Sequence, residues 1–237
     1  MIARFNFYDF IANLVPGLFF LWCASVMLAM IGCRVPLDFT GGLAETSIIV
    51  TVGYVAGLML QAVSEQFVQR KILLPMWGGF PSSRWLLPDD PQFSKSYKKN
   101  LLALIAKRFD VSVEPEIPAN ATDREIHEAR LKKNSELFYL CYRYTDSLGP
   151  YPQTFNALFG MFRCFLSLFA LLCAMAFIGL IIAIFGQHAS AGKFLVLTAL
   201  FGVCGWLSYA QCKKRSDDFA RSVYDLFVSG VAKKSGE

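Results

Sequence analysis

Charge and histidine are what this chain has least of. Charged residues make up 17% of its 237 positions and histidine occurs twice, against about 25% charge in an ordinary soluble domain. His127 and His188 fall in separate parts of the chain, and no Cys, His and carboxylate cluster has the spacing of a metal site. None of the seven cysteines forms a C-x-x-C pair. Cys23, Cys164, Cys173 and Cys204 lie in apolar sequence, where a free thiol packs as a small hydrophobe. A phosphate-binding glycine fingerprint is also missing. Gly78-Gly79 followed by Ser82-Ser83-Arg84 matches neither the P-loop nor the dinucleotide pattern. Nor is there a Ser/His/acid or Cys/His arrangement. These absences weigh against a metal centre, a bound cofactor and an enzymatic reaction.

What the chain has in their place is long apolar sequence. Four runs, roughly Phe10–Ile31, Thr46–Ala62, Asn156–Phe185 and Phe194–Ala210, each approach the ~20 residues needed to cross a bilayer core. Hydrophobic residues reach 55% and the mean hydropathy is +0.43. The expected fold is therefore an all-α membrane protein of four transmembrane helices. The first run exceeds the length of a leader's apolar core, and Cys33-Arg34-Val35 is not a small-residue cleavage site. It reads as a span.

Basic residues are nearly absent from two of the three connections. The first, Gly32–Glu45, holds Arg34 and the third, Gly186–Lys193, holds Lys193. The second, Val63–Phe155, holds Arg70, Lys71 and many more, and Lys213, Lys214 and Arg215 follow the fourth run. Positive residues close to span ends favour the cytoplasmic side. Both termini and the long connection are therefore expected in the cytoplasm, and the protein in a bacterial inner membrane. Within that connection acids such as Glu114, Glu116, Glu125 and Glu128 nearly balance the bases. That balance describes a solvated surface and argues against a nucleic-acid partner.

The expected organisation is spans 1 and 2 in residues 1–63, a cytoplasmic helical module in 64–155, spans 3 and 4 in 156–210, and a cytoplasmic helix and tail in 211–237. In the module, Ser94–Phe109 has a helical apolar face through Leu101 and Ile105, with Lys95, Lys98 and Lys99 assigned to the opposite face. Thr122-x-x-Glu125 is a capping box that opens a helix running to about Tyr144. Its buried stripe is expected at Ile126, Leu137, Phe138 and Cys141. The Gly- and Pro-punctuated stretch before these helices is expected to be irregular, with Trp77, Phe80, Arg84 and Trp85 as a candidate partner surface. Phe219, Val223, Leu226 and Phe227 give the C-terminal helix a docking face.

Within the spans, four features carry the interest. Pro16-Gly17 predicts a kink in the first. Gly53 and Gly57 form a G-x-x-x-G face in the second, which serves helix packing or homo-oligomerisation; Ser25/Ala29 and Ala170/Ala174 have the same spacing. Arg163 lies about two turns into the third run and Asp9 at the start of the first. An arginine there snorkels toward the interface, and the two are expected to form an intramembrane polar pair. Gln61 is a further polar candidate near the end of the second span.

Three segments carry a resemblance. N-F-Y-D-F with L-V-P-G in Asn6–Gly17, W-G-G-F-P-S-S-R-W-L-L at Trp77–Leu87 and R-S-D-D-F-A-R-S-V-Y at Arg215–Tyr224 together resemble a set of bacterial four-span membrane proteins. Some similar small four-span proteins look like the membrane components of anti-phage defence systems. The resemblance implies an inner-membrane location and no defined activity. The leading expectation is a non-enzymatic, oligomeric inner-membrane protein, its partners the lipid bilayer, further copies of itself and a cytoplasmic protein bound by the module. The alternatives are a static anchor that recruits a soluble protein, or a small transporter, channel or membrane enzyme using Asp9, Gln61 and Arg163.

Overall fold

A computed structural model describes residues 7–33, 42–118, 120–186 and 190–235, with side chains in the first helix from Ala12 onward. The described residues fold into helices and turns, with no strand among them. Four helices are long and apolar enough to cross a membrane: Ala12–Met30, Leu43–Arg84, Tyr151–Phe185 and Ala191–Lys233. In chain order the elements are α1 (Phe7–Met30), α2 (Leu43–Val63), a π-helical segment (Ser64–Leu73), the single turns α3 (Leu74–Trp77) and α4 (Pro81–Arg84), α5 (Lys95–Phe109), α6 (Asp123–Asp146), α7 (Tyr151–Phe185) and α8 (Ala191–Ser235). The chain divides into two compact units, residues 1–72 with 157–213, and residues 73–156 with 214–237.

The first unit is a bundle of α1, α2, the body of α7 and the first half of α8. Its seam on α7 is a run of residues four apart: Cys164, Leu168, Leu172 and Ala176 are completely enclosed. That spacing keeps one stripe of the helix facing its neighbours. Cys23 and Met27 of α1, Leu60 of α2 and Phe194 and Phe201 of α8 complete the core. Ala170 and Ala174, which share the small-residue spacing, instead lie on the exposed side of α7. On α1, Ala29 is likewise exposed and Ser25 half-buried.

α1 and α2 cross where both helices carry glycine. A Cβ added to Gly17 would fall 1.8 Å from the Gly53 carbonyl oxygen, and one added to Gly57 would fall 1.9 Å from the Asn13 carbonyl oxygen. No real side chain tolerates such distances from backbone atoms. Backbone therefore meets backbone here, the close approach that small residues permit between helices in lipid. Pro16 lies buried beside this crossing and α1 continues helical through it. The glycine face of α2 is thus taken by α1 of the same chain.

The second unit packs α5, α6 and the end of α8 around Trp85. Leu101 and Ile105 of α5, Leu137, Phe138 and Cys141 of α6, and Ala220, Val223, Tyr224 and Phe227 of α8 close this core. Local sequence explains both helix starts: Ser94 caps α5 by accepting from the Tyr97 N–H at 3.2 Å, and Thr122 and Glu125 form the reciprocal box at α6. The α6 stripe lies where the sequence puts it, with Leu137, Phe138 and Cys141 buried and Ile126 at its half-buried end. Leu226 is half-buried beside Phe227 on the docking face of α8.

Candidate functional site

In the first unit, polar side chains gather where α2 gives way to the π-helix. Arg163 of α7 is 7% exposed, and Ser64, the first π-helical residue, is fully enclosed. The Arg163 Nε–H donates to Ser64 Oγ at 3.1 Å, and the Ser64 hydroxyl donates onward to the Gln61 carbonyl at 2.8 Å. A serine side chain that engages a carbonyl three residues back competes with the α-helical ladder. The wider π turn begins at that residue, the kind of irregularity that collects at functional positions. The Phe159 ring lies 5.6 Å from the guanidinium carbon, and Ser167 Oγ–H donates to the Arg163 carbonyl at 3.3 Å. Glu65 turns to Arg70, 3.8 Å away, and both of those side chains are well exposed.

Arg163 is therefore a buried guanidinium held by a hydroxyl and an aromatic face. Among the described residues no carboxylate lies within ion-pair distance of it. Asp9 belongs to α1, but its side chain falls outside the described residues. Gln61 is brought into the same neighbourhood: its Nε2 would stand 3.5 Å from a Cβ at Gly160, one turn before Arg163. The sequence marks Arg163 and Gln61 separately. Nothing in it signals Ser64, because a lone serine at a span end has many uses.

In the second unit, the stretch expected to be an irregular partner surface is an ordered part of the core. Trp85 is 1% exposed and Trp77 is 6% exposed, and Phe80 is half-buried. The physical reason lies in backbone carbonyls that three elements satisfy. Asn134 Nδ2 of α6 donates to the Ser83 carbonyl at 2.9 Å, and the Tyr224 hydroxyl of α8 donates to the Ser82 carbonyl. Lys98 of α5 places its ammonium on the carbonyls of Leu87, Pro88 and Asp90. Trp85 then stacks edge-on with Phe93, ring centres 5.3 Å apart. Gly78 and Gly79, at φ 65° and 112°, make the reversal between α3 and α4 that a residue with a Cβ would resist.

Lys98 corrects a second expectation. It does not join Lys95 and Lys99 on the solvent face but is buried at 5% exposure. The spacing holds the signal: Lys98, Leu101 and Ile105 stand at i, i+3 and i+7, one helical face. Arg84 is also committed internally, its Nε donating to Asp90 Oδ2 at 2.9 Å and Nη1 to the Trp77 carbonyl at 2.6 Å. Of the four candidate surface residues, Arg84 lines a groove. That groove, about 530 Å³, lies between the Gly78–Pro91 segment and the start of α6, with Asp89, Asp123, His127 and Arg130 on its walls.

The titratable groups of this unit are tuned toward structure. Burial and the neighbouring Asp225 carboxylate push the Tyr97 phenol up to about 12, and burial pushes the Cys141 thiol up to about 12. The Thr122 N–H and hydroxyl hold the Glu125 carboxyl below its ordinary value. None of these shifts prepares a nucleophile or a general base near neutral pH. Among the described residues no group of three metal-ligating side chains converges. Comparison with protein-family models, with curated proteins and with solved structures finds no match for this chain.

Proposed function

We propose that this protein is a non-enzymatic, multi-pass inner-membrane protein whose second unit faces the cytoplasm, binds a protein partner there and passes that event to the membrane bundle. A membrane-acting component of a bacterial anti-phage defence system would work in this way. The reading is supported above all by α8. It is one uninterrupted helix, Ala191–Ser235, that packs Phe194 and Phe201 into the core of the first unit and Val223, Tyr224 and Phe227 into the core of the second.

Partner binding falls to the open surfaces of the second unit, since Trp77 and Trp85 are spent on its core. The groove of Asp89, Asp123, His127 and Arg130 offers both signs of charge to a complementary protein surface. Further copies of the chain would meet through outward faces such as Ile48, Val52, Val55 and Met59 of α2. Controlled expression with a membrane-potential dye tests the reading. Depolarisation that appears with the partner gene and is absent without it is the expected result. An unchanged potential in both states favours a static anchor.

A further inference from the structure

Ser64 and Arg163 share a depth that their helices define. α2, Leu43–Val63, has 21 residues, about 31 Å at 1.5 Å per residue, and Ser64 follows it directly. From Arg163 to the end of α7 at Phe185 is about 33 Å on the same rise. The hydrocarbon layer is ~30 Å thick. Each residue thus stands one hydrocarbon thickness from the far end of its helix, and their hydrogen bond puts them at one level. That level is the headgroup layer of a single leaflet.

The guanidinium has donors to spare at that level. It carries five N–H groups, and Ser64 takes the one on Nε. Nη1 and Nη2 make no hydrogen bond to a described residue, and Arg163 is not among the side chains with an enclosed, unbonded polar atom. Arg163 is 7% exposed, and that small accessible area includes the Nη nitrogens. The acid on the adjoining turn, Glu65, is directed to Arg70, and Lys71 sits over the Phe67 ring at 5.0 Å. A positive fork with two free nitrogens fits a phosphate, bidentate and charge-assisted.

We infer that Arg163, oriented by Ser64, binds the headgroup phosphate of an anionic phospholipid at the junction of α2 and α7. This inference is independent of any partner of the second unit. Basic side chains between spans at the membrane surface recognise anionic headgroups in this manner. The Phe159 ring lies against the guanidinium, and Gln61 Nε2 stands near Gly160, one turn away.

The test uses the full-length protein in neutral detergent, titrated with phosphatidylglycerol, phosphatidylcholine or inorganic phosphate. Native mass spectrometry reads retained lipid and a thermal melt reads Tm. Phosphatidylglycerol is expected as a one-per-chain adduct, retained several-fold more than phosphatidylcholine, with a raised Tm. R163Q should lose this adduct, whereas the paired change R70Q/K71Q should keep it. S64A, which frees the guanidinium to turn, should retain less than the wild type. Equal retention of the two lipids by the wild-type protein overturns the inference even if R163Q fails to fold. So does an adduct that survives R163Q, or undiminished retention in S64A. A Tm rise with inorganic phosphate equal to that with phosphatidylglycerol would make the site one for free phosphate and overturn the lipid assignment.

Discussion

At the scale of single residues, buried polar groups of the second unit do structural work that their chemistry makes measurable. Lys98 satisfies three carbonyls from inside the core. Lys98→Met keeps the stem and removes the donors, leaving those carbonyls unpaired, and is expected to cost about 2–3 kcal/mol in a denaturant melt of the full protein. A loss below about 0.5 kcal/mol, the scatter of ordinary surface changes, would mean that water reaches the carbonyls instead. Thiol chemistry separates two cysteines in the same way. Cys33 is exposed and Cys141 is enclosed, with its thiol pushed up to about 12. Maleimide should modify Cys33 rapidly in the native protein and reach Cys141 only on unfolding; equal native rates would contradict the packing of α6. Glu125 gives a pH effect of known sign. Its carboxyl is held low in the folded state, so the cap's contribution is present above the unfolded value and fades as pH falls through the folded one. Glu125→Gln should flatten that acid limb of the stability curve, and an unaltered limb would assign it to other carboxylates.

At the scale of elements, the glycine crossing of α1 and α2 is the contact with least tolerance. Gly57→Ile would drive a branched side chain into the Asn13 backbone, where even a Cβ has no room. The expected outcome is a lower melting temperature of the chain itself in detergent, by ten degrees or more on the order of a severe core lesion. An oligomer that dissociates while its monomer melts unchanged would return Gly53 and Gly57 to the surface role that their spacing also permits. The helical face of α5, the box at α6 and the docking stripe of α8 are different in kind. They were legible in sequence because each depends on residues within one or two turns. The π-helix was not. It begins at Ser64, whose side chain meets an arginine 99 positions away in the chain, and no local window holds that pair.

At the scale of the whole molecule, four helices are long and apolar enough to cross a membrane, and the basic residues set the orientation we propose. Topology reporters fused after Glu237 and inserted within Pro115–Asp123 should both read as cytoplasmic; a reading from the opposite side at either position would invert the scheme. The pairing of Asp9 with Arg163 belongs to this scale too, because it would fix which spans are neighbours. A double-mutant cycle on Tm with Asp9→Ala and Arg163→Ala decides between Asp9 and a headgroup phosphate as the partner of the guanidinium. Additive costs are expected for the lipid site, and a combined cost below the sum would give Arg163 to Asp9.

The sequence by itself determined the four helices long and apolar enough to cross a membrane, the capping box of α6 and the side of the membrane to be tested. Apolar length, capping chemistry and charge bias act locally and need no partner to be read. The tertiary structure alone decided where the long-range polar groups go. Trp85 and Lys98 look like surface residues beside glycines, prolines and other lysines, yet they are buried because carbonyls and aromatic rings from distant elements meet them. Gly53 and Gly57 face α1 because the Gly17 backbone is there to receive them. Arg163 and Ser64, 99 positions apart in the chain, meet only in the folded bundle.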